Sequence, residues 1–178
     1  MVTSTPAQAA PGELEAVREL LNTWLIPNDT RVPTDRFDEW VAAHRLPRGA
    51  AATTKRLRDD LRAVVEHTVD GDAVLTAWVE RLGRRPAVIG GKLVHRHAPG
   101  RAGQLLAEVL DAVAAGRWHR LKACPDCRWV FYDHSRNASK RWCLMNAGGP
   151  DGRGCGTIAK VRRHRQRSRD AGDRTRSS

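Results

Sequence analysis

The sequence predicts a mainly α-helical chain with a short β-hairpin, made of a helical N-terminal domain plus a small cysteine-built module at the C-terminal end. Three observations predict this. Apolar residues recur at helical spacing through most of the first 116 residues. One segment, Pro86 to His95, alternates instead, around Gly90-Gly91. All four cysteines of the 178-residue chain lie between positions 124 and 155, spaced C-x2-C, 15 residues, C, 11 residues, C.

The helical elements follow in order. Residues 1–12 are small, polar and Pro-containing and predict a disordered leader. They carry no basic start and no apolar stretch, so a signal peptide is not expected. Leu14, Val17, Leu20, Leu21, Trp24 and Leu25 make the first apolar stripe, and Pro27-Asn28-Asp29 breaks it. Thr34 followed by Asp35 predicts a cap for a helix through Phe37, Trp40 and Val41. Leu46-Pro47-Arg48-Gly49 predicts a turn, with Thr53 or Thr54 capping a third helix along Leu57, Leu61, Val64 and Val65. Asp70-Gly71-Asp72 separates it from a fourth, with Leu75, Trp78, Val79 and Leu82 on one face. After the hairpin, Leu105, Leu106, Val109, Leu110 and Val113 predict an amphipathic helix stopped at Gly116. The helical domain is thus residues 13–116. Asn22, Thr23, Asn28 and Asp29 read as caps and turns.

Residues 117–169 form the cysteine module, and 170–178 a disordered tail. Trp129-Val130-Phe131-Tyr132 predicts a strand beside the Cys124/Cys127 pair. Asp133-His134-Ser135 predicts the cap of a helix from Arg136 to Met145 carrying Cys143. Gly148 to Gly154 is a glycine-rich loop, and Ile158 to Arg169 a basic helix. A C-x2-C pair followed by two more cysteines is how a chain wraps one tetrahedral Zn²⁺, so Cys124, Cys127, Cys143 and Cys155 are the predicted ligands. In a reducing compartment such a cluster favours metal over disulfides. Four thiolates leave no position for a water, so the zinc is structural. His134 and His164 lie within reach as substitute ligands of a shell the cysteines already fill.

Charge separates the two parts. Residues 1–116 balance, whereas 117–178 hold the whole formal excess of +11. Lys160, Arg162, Arg163, Arg165, Arg167 and Arg169 surround the last helix, and Arg136, Lys140 and Arg141 precede it. A helix basic on nearly all sides suits a polyanion with phosphates on both flanks, so DNA is the expected partner. A docked acidic protein and RNA are the alternative partners. No apolar run reaches the roughly 18–20 residues of a membrane span, and the expected location is cytoplasmic. The sequence has no nucleophile elbow, HExxH, P-loop or GxGxxG, so an enzyme is not expected.

The cysteines, Val130-Phe131-Tyr132-Asp133, Ser135-Arg136-Asn137, Arg141-Trp142-Cys143, Cys155-Gly156 and Ala159 to Arg163 together resemble the CGNR zinc-finger domain. Leu21-Asn22-Thr23, Asn28-Asp29-Thr30 and Leu57-Arg58 through Leu61-Arg62 resemble the ABATE domain that precedes it in bacterial proteins. The sequence departs from the finger's name motif, reading Cys155-Gly156-Thr157-Ile158, and its loop between Cys143 and Cys155 is longer. The resemblance implies a stress-related transcription regulator, with the finger on DNA and the helical domain sensing a small-molecule effector, for which Asn22, Thr23, Asn28 and Asp29 would line a pocket between helices.

Overall fold

The computed structural model describes residues 8–27, 30–82, 85–96, 98–144 and 154–176, with side chains for all but Leu93, His95 and 168–176. Asn28, Asp29 and most of the glycine-rich loop fall outside these ranges. The fold is mainly α-helical, and among the described residues the strands form only two-stranded antiparallel pairs.

Helix α1 (Leu14–Leu21) buries its predicted stripe. The stripe does not continue as helix through Trp24 and Leu25. Thr23 donates its hydroxyl back to the Leu20 carbonyl, giving the chain an alternative to another helical turn. Trp24–Leu25 (β1) then pairs with Thr34–Asp35 (β2). Asp35, rather than Thr34, starts α2 (Phe37–Ala43), its carboxylate accepting from the Phe37 amide at 2.9 Å. The turn expected at 46–49 is already the entrance to α3 (Arg48–Val65), because Pro47 supplies an extended residue and its carbonyl takes the Ala50 and Ala51 amides. Thr54 therefore lies inside the helix and caps nothing. Its buried hydroxyl bonds the Ala50 carbonyl.

Asp70 caps α4 (Gly71–Leu82), accepting from the Asp72 and Ala73 amides. Strands β3 (Arg85–Ile89) and β4 (Lys92–Arg96) make the predicted hairpin around Gly90-Gly91. Helix α5 (Arg101–Ala114) ends as expected at Gly116, whose φ of +62° lets the Arg117 amide turn back to the Ala112 carbonyl.

One core joins α1, α3 and α5 through Leu20, Leu57, Leu61, Leu105, Leu106 and Val109. The same core contains Leu121, Val130 and Tyr132 from the hairpin of β5 (Leu121–Ala123) and β6 (Val130–Tyr132). The boundary expected at residue 116 is therefore not a boundary of packing. The expected disorder of the leader also stops short: Gln8 and Ala10 are buried. The last helix, α6 (Cys155–Arg176), runs beyond Arg169 into the stretch expected to be a disordered tail.

Candidate metal centre

Cys124 directly follows β5 and opens a tight knuckle. Its amide donates to the Trp129 carbonyl, its carbonyl accepts from the Arg128 amide, and Arg128 turns the chain with φ +60°. These bonds aim Cys124 and Cys127 at one point. Cys143 arrives from the segment after β6, and Cys155 is the first residue of α6. All four sulfurs are buried and lie within 4.8 Å of one another. Cys127 and Cys143 sulfurs are 3.5 Å apart, those of Cys143 and Cys155 3.7 Å. Ligands about 2.3 Å from a tetrahedral zinc sit about 3.8 Å from one another, so this spacing fits one structural Zn²⁺. All four are free thiols, with no disulfide between them. Hydrogen bonds from Cys127, Cys143 and Cys155 pull the Cys124 thiol well below its ordinary range, and hydrogen bonding to the other three pushes Cys143 far above it. A divalent cation bound between them would hold all four as thiolates. Trp129, Trp142, Leu144 and the buried Phe131 ring pack around the sulfurs. His134 is turned away, its Nε2 2.7 Å from the Ala9 carbonyl.

The helix expected from Arg136 to Met145 does not form; through Leu144 the chain runs in turns and bends. Asp133 is the reason. Its fully buried carboxylate accepts from the Ser135 amide and hydroxyl on one oxygen, and from the Lys140 amide and Lys122 Nζ on the other. Lys122 also donates to the Ala138 and Lys140 carbonyls. Residues 133–140 thus close around one ion pair instead of winding into a helix. Burial raises the Asp133 pKa, but Lys122 and the Ser135 and Lys140 donors outweigh it and hold the group ionised well below the ordinary carboxylate range.

The helical domain grips this centre directly. Asn22 accepts from the Val130 amide at 2.7 Å and donates to its carbonyl at 2.8 Å, pairing with β6 as a strand would. Buried Arg18 also reaches the Val130 carbonyl. Arg62, 6% exposed, donates to the carbonyls of Leu21, Trp24 and Arg128, tying α3 and β1 to the knuckle. The Ile26 amide donates to the Cys127 carbonyl. Gln8 donates to the Cys143 carbonyl and accepts from the Trp129 indole. Asn22 is thus committed to this clamp, whereas Thr23 bonds within the helical domain, to the Leu20 carbonyl and the buried guanidinium of Arg58. Sequence reasoning missed Arg18, Arg62 and the Lys122–Asp133 pair. A charge on the apolar stripe was the visible signal: Arg58 and Arg62 each directly follow a core leucine.

The clamp and the metal set where α6 begins. Its first two residues are buried, its Gly156 amide donates to the Leu144 carbonyl, and its positive end faces the sulfurs. From Lys160 to Arg167 every side chain is exposed. Arg162 reaches Asp126 in the knuckle at 3.1 Å, and Arg31 of the helical domain takes the other Asp126 oxygen at 3.3 Å. A groove of about 360 Å³ lies there, between Arg31, Asp126, Ile158, Val161, Arg162 and Arg165. Of the predicted nucleic-acid contacts, Lys160, Arg162, Arg163, Arg165 and Arg167 share this exposed helix, as do Arg136 and Arg141 the exposed surface before it. Lys140 is half-buried over the Phe131 ring. The Arg169 side chain is outside the described ones.

No helix among the described residues is long and apolar enough to cross a membrane. No curated protein matches the chain. The CGNR zinc finger family matches residues 120–168, a segment that contains all four sulfurs, the Asp133 hub and the exposed part of α6, and to that family this part of the chain is similar.

Proposed function

We propose that this is a zinc-dependent DNA-binding protein, a transcription regulator whose helix α6 lies against the phosphate backbone. One observation carries the reading. A helix whose first residue is a metal ligand leaves the body of the protein with exposed Lys160, Arg162, Arg163, Arg165 and Arg167, and no acidic residue follows until Asp170. A helix with no packed face is marginal in water, and self-repulsion weakens it further. Phosphates on both flanks relieve that repulsion. Zinc acts here by shape: it fixes the helix start and its direction of exit.

The clamp gives the helical domain a regulatory role in this reading. An effector that moves α1 or α3 moves Asn22, Arg18 and Arg62, and with them Val130 and Arg128 beside the metal. A groove of about 270 Å³ between α1 and α5, lined by Glu13, Arg101, Gln104, Leu105 and Glu108, is the place for such a molecule.

Filter binding of the zinc-loaded chain to random duplex, single-stranded RNA and an acidic peptide across salt concentrations tests the proposal. Duplex retention with a log–log salt slope of about −5, near −0.9 for each of about six phosphates, supports it. Retention of the peptide alone favours a protein adaptor, and preference for RNA favours an RNA-binding role. Retention of none at low salt removes the reading.

A further inference from the structure

The balanced charge of the first 116 residues hides a second basic surface. Between Arg81 and Ala107 the chain carries Arg81, Arg84, Arg85, Lys92, Arg96 and Arg101 and not one Asp or Glu. This stretch contains the β3–β4 hairpin. The register sets Arg85 directly opposite Arg96 and Ile89 opposite Lys92. Side chains alternate along a strand, so Arg85, Arg96 and Lys92 rise from the same face. Like charges directly opposed on one face destabilise a strand pair unless an anion lies between them. Arg85, Lys92 and Arg96 are all exposed, and among the described residues no carboxylate pairs with them.

The hairpin's shape adds to this. It is a two-stranded sheet on its own, with no third strand on either edge among the described residues. Strands of five residues make an arm about 17 Å long. Gly90 and Gly91, at φ +58° and +74°, supply the tight turn that other residues resist. Beside that turn Val88 and Ile89 are 72% and 58% exposed. Apolar side chains at the end of a basic arm suit the sugar walls and base steps of a nucleic-acid groove. An acidic protein surface would match the charge but leave the arm's narrow, free-standing form unexplained.

We propose that the β3–β4 hairpin is a second duplex-binding arm, with Arg85, Lys92 and Arg96 on phosphates and the Val88–Ile89 tip in a groove. The proposal rests on the reading of α6 as a DNA-binding helix and adds an independent contact to it.

The test uses the full-length zinc-loaded protein, a random 30-bp duplex and a salt titration. It compares the native chain with Arg85→Ala/Lys92→Ala/Arg96→Ala in the hairpin and Arg162→Ala/Arg163→Ala/Arg165→Ala in α6. The hairpin variant is expected to flatten the salt slope by about 2.7 and weaken low-salt binding by on the order of tenfold, with zinc content unchanged. Lys92→Glu alone guards against a hairpin that has lost its fold: its change is confined to the strand end beside the turn, and it should weaken binding more than Lys92→Ala. If the native chain binds and the α6 variant flattens the slope while both hairpin variants match the native chain, the arm is refuted and α6 stands. If the native chain binds no duplex, both fall. If the hairpin variants lose binding to single-stranded RNA but not to duplex, the arm's assigned partner is wrong.

Discussion

Two sets of arginines divide this molecule. In the helical domain Arg18, Arg58 and Arg62 are almost wholly buried, and their donors are consumed by carbonyls and carboxylates of the fold. In α6 Arg163, Arg165 and Arg167 stand in solvent beyond the metal. The same side chain serves as internal fastening in one region and as outward charge in the other. Its position relative to the apolar stripe decides which. Substitution should therefore have opposite consequences: loss of stability in the first set, and loss of polyanion affinity with little change in stability in the second.

The largest effect should come from breaking what both regions share. Cys143→Ser should abolish stoichiometric zinc, removing a contribution on the order of 10–16 kcal/mol. Because Leu121, Val130 and Tyr132 sit in the common core, the helical domain should melt at lower temperature too. Metal analysis with thermal melts followed by circular dichroism checks both points. A helical domain that melts unchanged would mean that the shared packing contributes nothing.

Next comes the Asp133 hub. Asp133→Asn leaves Lys122, with only 23% of its side chain exposed, facing no counter-charge. A loss of about 3 kcal/mol is expected in denaturant titrations at saturating zinc, together with faster zinc transfer to a chelator. Arg62→Met sharpens the contrast between the two arginine sets. It deprives three carbonyls of a buried donor and should cost about 2–3 kcal/mol, whereas Arg163→Ala should stay within about 0.5 kcal/mol of the native chain.

The smallest effect is a pH dependence. Hydrogen bonding from Arg58, against the opposing effect of burial, lowers the Asp35 pKa to about 2. A carboxylate depressed in the folded state stabilises it above the unfolded pKa of about 3.9. That contribution fades as pH falls through the window toward 2. Stability of Asp35→Asn should accordingly be lower near neutrality and converge with the native chain as acid protonates Asp35, as followed by urea titrations at several pH values.

The cysteine cage and most helices were legible because each rests on local rules: fixed ligand spacing, a repeating apolar face, Asp70 and Gly116 at helix ends. What stayed hidden was long-range. Nothing local marks that Asn22 will pair with Val130, or that Arg62 will reach the Arg128 carbonyl. The expected helix after Asp133 failed for the same reason, since Lys122, its organising partner, lies on a different strand. The hairpin's charge was obscured by averaging it with the acidic excess of the rest of the first 116 residues.

The central claim is that a zinc-thiolate cage aims α6 at a polyanion, and duplex binding measured across salt with and without bound zinc tests it most directly. The account predicts a steep negative log–log slope for the zinc-loaded chain, flattened when a chelator strips the metal or when Arg162, Arg163 and Arg165 become Ala. A zinc-loaded chain that ignores DNA at low salt, or binds it with no dependence on salt, would contradict the account.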